Sequence, residues 1–101
     1  MVKEPVERLK EKILKENLWI FLFKLLKEKD HYAYELRGAV NREFGFWAGE
    51  VTGYRVLYIL EKDGYVESYM KGRKKYYRLT DKGSEQLKKA KEFLEKISTS
   101  I

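Results

Sequence analysis

The chain has no cysteine, one histidine and one proline among its 101 residues. Without cysteine it can form neither a disulfide framework nor a thiolate metal site. The single histidine, His31, cannot build a zinc site alone, so we expect no metal and no other cofactor. The longest nearly apolar run, residues 18–26, is about half of the ~20 residues that a membrane span requires. These absences argue against a disulfide-stapled secreted domain and against a membrane protein, and they favour a cytoplasmic location.

Signatures of catalysis are lacking as well. The serines have no basic partner at a motif spacing, and the chain has no glycine-rich phosphate loop. The carboxylates mostly alternate with lysines, which is typical of solvated helix faces. We therefore expect that the protein is not an enzyme. With only two asparagines and one glutamine against many Lys and Glu, the composition is also typical of a thermophile.

Positive charge is concentrated in one segment. The formal net charge is +6, and residues 65–80 alone carry five Lys or Arg against one Glu. Evenly spread lysines would serve solubility, whereas a cationic cluster predicts an anionic partner. A run of charge is more often simply solvated. Here the cations stand at the tip of a predicted hairpin that directly follows a helix, which favours binding to nucleic acid.

Periodicity predicts a single domain over residues 1–101, mainly α-helical with one two-stranded β-hairpin. Thr52 and Thr80 are suitable N-caps, and Gly45 and Gly64 are suitable helix stops. The order of helix, cationic hairpin and helix is that of a winged helix-turn-helix with additional N- and C-terminal helices. The predicted elements are a first helix at about 5–28, a second at 32–44, a recognition helix at 52–63, a wing hairpin at 65–79 and a C-terminal helix at 81–98.

The recognition helix and the wing supply the predicted DNA contacts. Because two residues rotate a helix by about 200°, Tyr54 and Tyr58 lie opposite the core residues Val56 and Leu60. Arginine can bind guanine bidentately, and Thr and Tyr hydroxyls can bind phosphates. The alternative is that the tyrosines pack on a neighbouring helix. The predicted DNA-binding residues of these two elements are Thr52, Tyr54, Arg55, Tyr58, Lys71, Arg73, Lys74 and Lys75.

Two helices are candidates for a homodimer interface. Residues 18–26 are apolar on nearly every side, which predicts burial between subunits or, alternatively, a wholly internal core helix. The last helix repeats apolar residues from Leu87 to Ile101 in a narrow stripe, which is the pattern of a helix that pairs with another helix. The predicted interface residues are Leu18, Phe21, Leu22, Leu87, Ala90, Leu94 and Ile97.

Three segments resemble the PadR-like transcriptional regulators: YAYEL (Tyr32–Leu36), TGYRVLYILEKDGYVES (Thr52–Ser68) and GRKKYYRLTDKG (Gly72–Gly83). The resemblance implies a dimeric winged-helix repressor whose first and last helices form the interface. It implies that Tyr34, Thr52, Tyr54 and the wing cations face DNA. Glu50-Val51-Thr52 replaces the family's proline-glycine-serine entry to the recognition helix. Some relatives bind planar aromatic effectors between subunits, so Trp19 and Trp47 are candidates for such a pocket, with core packing as the alternative.

The leading hypothesis is a sequence-specific regulator, a repressor, that binds a palindromic site in double-stranded DNA as a homodimer. The alternatives are a winged-helix subunit that contacts another protein and an architectural DNA binder with little sequence preference.

Overall fold

The computed structural model describes residues 3–101, which form five helices and three strands. The three strands make one antiparallel sheet in the order β1-β3-β2. In chain order the elements are α1 (Pro5–Glu16), α2 (Leu18–Glu28), β1 (His31–Tyr32), α3 (Ala33–Phe44), α4 (Glu50–Lys62), β2 (Val66–Lys71), β3 (Lys74–Leu79) and α5 (Asp81–Ser100).

The helix predicted over residues 5–28 is two helices. Asn17 separates α1 from α2 with a non-helical backbone at φ −126° and ψ 41°. Its side-chain amide donates to the Lys12 carbonyl at 3.2 Å. Asparagine competes with the helical ladder in this way because its short polar side chain can bond nearby backbone groups. This break separates α1, which has no buried residue, from α2, which has five.

The core is built around α2. Leu18, Leu22, Phe23, Leu25 and Leu26 are all buried, and Phe23 is 1% exposed. Five elements of the same protomer pack against this helix: α1, α3, α4, α5 and β3. Its all-round apolar character therefore reflects an internal position within one chain. The five buried residues of α2 therefore fit the alternative of a core helix, whereas Trp19, Ile20 and Phe21 are only partly buried, and a contact of α2 with a second subunit stays a prediction.

His31 lies in an unexpected third strand. β1 pairs with β3 so that His31 is opposite Tyr77 and Tyr32 is opposite Tyr76. His31 is buried, and its Nδ1 shares a hydrogen bond with the Glu35 carboxylate. The predicted hairpin is thus one part of a three-stranded sheet whose first strand begins at His31.

The first turn of α5 is fixed tightly against the sheet. The Thr80 hydroxyl accepts a hydrogen bond from the Gly83 N–H at 3.2 Å, which confirms the predicted N-cap. A Cβ at Gly83 would lie 2.2 Å from the Tyr65 carbonyl oxygen, so only glycine allows this approach. By contrast, every residue from 91 to 100 is exposed. The first part of α5 is therefore packed against the domain, and its last ten residues make no contribution to the core.

Candidate nucleic-acid interface

The helix α4 starts two residues earlier than predicted. Gly49 is its N-cap residue, with φ −60° and ψ 140°, and its carbonyl accepts the first helical bond from the Gly53 N–H at 2.8 Å. Thr52 is therefore the third helical residue and makes no cap, because the extended Gly49 backbone lets the helix begin at Glu50. The Thr52 side chain remains exposed on the first turn.

One stripe of α4 faces solvent. Val51, Tyr54, Arg55 and Tyr58 are exposed and follow the spacing i, i+3, i+4, i+7, so they share one face. The opposite face buries Leu57 and Leu60 in the core. The predicted contacts Tyr54, Arg55 and Tyr58 thus lie on the outer surface, and none of them packs into the core. Sequence reasoning missed Val51 because it placed the start of the helix too late.

The surface of α3 beside this stripe carries Tyr34, whose side chain is 75% exposed. Tyr34 and Tyr54 line the same small apolar cavity of about 60 Å³ between α3 and α4. The connection between these helices is held by Arg37, whose Nε donates to the Ala48 carbonyl at 2.8 Å. The Arg37 guanidinium also lies 5.2 Å from the centre of the Trp47 ring. The hydrogen bond from Arg37 to Ala48 therefore adds to core packing in fixing the connection between α3 and α4.

The turn between β2 and β3 presents three exposed cations. Gly72 adopts φ +63°, the left-handed conformation that lets the chain reverse tightly. Lys74 Nζ lies 4.4 Å from the Tyr32 ring centre, and Lys71 Nζ lies 5.7 Å from that of Tyr76. Within residues 3–101, Arg73 makes neither an ion pair nor a contact with an aromatic ring. Arg73 is therefore the wing cation with the least internal compensation.

Lys75 differs from the other wing cations. Its Nζ donates to Glu61 Oε1 of α4 at 3.3 Å, and this bond raises the pKa of Lys75. The Ser68 hydroxyl of β2 donates to the other oxygen of Glu61. The Ser68 bond, and to a smaller degree Lys75, hold the pKa of Glu61 below its ordinary value. Glu61 thus joins α4 to both strands of the wing, and the charge of Lys75 is partly neutralised.

The outer face of the sheet carries a row of tyrosines that sequence reasoning did not find. Tyr76 lies between Tyr32 and Tyr69, with ring centres 5.6 and 5.7 Å away. The Tyr69 hydroxyl donates to Asp30 Oδ2 at 2.6 Å, which raises the pKa of Tyr69. The sequence of β3 shows that Tyr76 and Tyr77 point to opposite faces. It does not show that Tyr32 lies beside Tyr76, because that contact requires the pairing of β1 with β3. A cation lies over each ring: Lys74 over Tyr32, Lys71 over Tyr76 and Arg78 over Tyr69.

The residues predicted for a dimer interface fall into three groups. Leu18, Leu22 and Leu87 are at most 4% exposed because they fill the core of their own protomer, so they offer no surface to a partner. Phe21 packs on Phe44 and Phe46. The remaining three lie along the outward part of α5: Ala90 is half-buried, and Leu94 and Ile97 are exposed.

Within residues 3–101, the two tryptophans border different cavities. Trp19 packs edge-on against Phe23 at 5.3 Å and borders two openings beside α5. Trp47 is exposed and borders a different cavity, next to Leu14 and Thr52.

In the described part of the chain, no three His, Asp or Glu side chains converge in a metal-binding arrangement. Within residues 3–101, no helix has the length and apolar character needed to cross a membrane.

Comparison with protein families identifies the chain. The model of the transcriptional regulator PadR-like family matches residues 22–89, from the buried α2 to the anchored half of α5. The chain belongs to the PadR-like family. The resemblance stated from the sequence is thereby confirmed, and with it a DNA-binding transcriptional regulator of the winged-helix type.

The chain is also similar to individual proteins, both in sequence and in structure. An uncharacterised protein of Lysinibacillus sphaericus is 33% identical over 82 residues, which span 74% of this chain and 75% of that protein. The crystal structure of a PadR-like transcriptional regulator from Bacillus cereus is 33% identical with a TM-score of 0.76, covering 88% of this chain and 91% of the other. The winged-helix DNA-binding protein F93 from STIV shares the fold at a TM-score of 0.72 and 22% identity, over 80% of this chain and 89% of its own.

Proposed function

We propose that this PadR-like regulator binds a palindromic operator in the cytoplasm as a homodimer and represses transcription. The observation that carries the proposal is the exposed stripe on α4 followed, after only Asp63–Tyr65, by the cationic wing. A helix of this kind can enter a major groove while a neighbouring cationic turn binds phosphates. Arg55 offers a bidentate donor for guanine, and the hydroxyls of Tyr34, Tyr54 and Thr52 offer phosphate or base contacts.

The exposed half of α5 supports the proposed dimer. Phe93, Leu94, Ile97 and Ile101 are all at least 42% exposed, although large apolar side chains gain free energy when they are buried. A groove of about 410 Å³, bordered by residues of α1, α2 and α5, continues this apolar surface. We propose that a second copy of the chain covers both, with α5 packing across the two-fold axis.

A protein partner is the second candidate function. Val51 and Ile59 of α4 are 80% and 45% exposed, and apolar side chains of this kind also suit a protein interface. The cations Arg55 and Lys62 on the same surface favour an anionic partner instead.

The test is a footprint on duplexes selected from a randomised library at moderate salt. We expect a bounded protected site with two symmetric halves centred ~34 Å apart, one helical turn of DNA. In a transcription assay with purified components, placing this site over a promoter should lower transcript yield as protein is added. Unbounded protection would indicate an architectural binder, and the absence of protection would favour the protein partner. An increase in transcription would contradict the repressor assignment.

The oligomeric state has its own test. Light scattering after size exclusion should give the mass of two chains for the wild type. The double variant L94E/I97E should give one chain while keeping its helical circular dichroism, because both side chains are exposed in the protomer. The exposed Lys96→Glu variant is a matched control, since it changes charge in the same turn without removing apolar surface. A wild-type monomer would contradict the dimer.

A further inference from the structure

Val51 is the most exposed apolar side chain of α4, at 80%. It stands in the first turn of the helix, where recognition helices contact base edges. At about 100° per residue, Arg55, Tyr58 and Lys62 lie within about 40° of the direction of Val51 around the helix. Val51 therefore occupies the middle of the outward stripe at the end that enters the groove first, with Tyr54 and Thr52 on its two flanks.

Valine limits what this position can recognise. Its side chain has neither a hydrogen-bond donor nor an acceptor, so it cannot read the polar edge of a base. In the major groove the apolar group among the base edges is the C5 methyl of thymine. A methyl–methyl contact removes apolar surface from water on both sides. The cations Arg55 and Lys62 on the same stripe make an anionic double helix a better fit than an apolar protein surface.

We propose that Val51 is a specificity-determining residue that reads the methyl group of one thymine in each half-site. The inference rests on the proposed function and deepens it. Arg55 lies one turn further along the same stripe, ~6 Å away along the axis. Base pairs are ~3.4 Å apart. A guanine read by Arg55 should therefore lie within about two base pairs of that thymine.

The experiment uses the full chain and the duplex recovered by selection from the randomised library. Each thymine is replaced in turn by uracil, which removes only the methyl group, and affinity is measured by fluorescence anisotropy at fixed salt. We expect one position per half-site where the replacement weakens wild-type binding about fourfold, the loss that corresponds to one buried methyl group. Replacing it in both halves should multiply the two losses.

The matched variant is Val51→Ala. Because Val51 is exposed, its truncation should leave the melting temperature unchanged. V51A should bind the thymine duplex about as weakly as wild type binds the uracil duplex, and it should no longer distinguish the two. The control Ile59→Ala, which truncates another exposed apolar residue of α4, should keep the full uracil effect.

The outcomes separate this inference from the function on which it rests. A bounded footprint with no uracil position that distinguishes wild type from V51A would overturn the role of Val51 and leave the regulator intact. Selection that yields no preferred sequence would overturn both.

Discussion

The two faces of the three-stranded sheet use the same strands in different ways. The inner face places His31, Val66 and Tyr77 in the core, and Val66 is only 1% exposed. The outer face places Tyr32, Tyr76 and Tyr69 in a row at the surface, with a cation over each ring. The inner face is thus defined by its burial in the core, and the outer face by its cations, which lie over tyrosine rings.

Under the proposed function, this contrast separates the residues that stabilise the domain from those that bind DNA. Within residues 3–101, Lys71 and Lys74 gain some attraction from the rings without an ion pair, whereas Arg78 is also paired with Glu67 at 2.8 Å. A lysine held in this way remains available to a phosphate, whereas a lysine paired with a carboxylate is already compensated. We therefore expect changes to the inner face to cost folding stability, and changes to the outer face to cost mainly the proposed DNA binding.

The largest expected effect comes from neighbouring tyrosines of β3 that point to opposite faces. Tyr77→Ala should lower the free energy of unfolding by about 3–5 kcal/mol, the usual cost of removing a buried aromatic ring. Tyr76→Ala should cost roughly 1 kcal/mol, because it loses cross-strand contacts at the surface. Urea unfolding measures both. Equal losses would show that the outer row belongs to the core.

A smaller effect distinguishes two cations of the wing. Arg73→Ala should reduce the slope of log affinity for DNA against log salt by about 0.9, the contribution of one lost phosphate contact. Lys75→Ala should reduce it less, because Lys75 is already bonded to Glu61. Binding titrations over a range of salt concentrations give both slopes. A larger change for Lys75 would mean that its pair with Glu61 opens when DNA binds.

The smallest effect concerns the same ion pair and pH. The pKa of Glu61 in the folded chain lies below its ordinary value of 4.5, so its contribution to stability is present above that value. It should disappear as the pH falls from about 5 through the folded pKa. Since Glu61 is partly exposed, Glu61→Gln should cost only a few tenths of a kcal/mol at pH 7. Urea unfolding at pH 7 and at stepwise lower pH should show this cost shrink as Glu61 is protonated; a constant cost would contradict a role for the Glu61 charge.

Local chemistry allowed much of the fold to be predicted from the sequence. Thr80 is an N-cap because its hydroxyl bonds the next turn, and Gly45 and Gly64 end helices because both take positive φ. Other features depend on distant partners. β1 has two residues and exists through its pairing with β3, so no local pattern marks it. The break at Asn17 could not be predicted because the apolar periodicity continues through it. The stripe of α5 likewise did not distinguish the buried Leu87 from the exposed Leu94 and Ile97.

The link through Glu61 has a mechanical consequence. Because the Glu61 carboxylate is bonded to Ser68 of β2 and Lys75 of β3, α4 and the wing should move together as one rigid unit. Only three residues connect α4 to β2, and the Tyr65 N–H donates to the Leu60 carbonyl at 2.9 Å. This short, hydrogen-bonded connection restricts the movement of β2 relative to α4. In the proposed homodimer, a signal that weakens DNA binding would then have to change the distance between the two copies of this rigid unit.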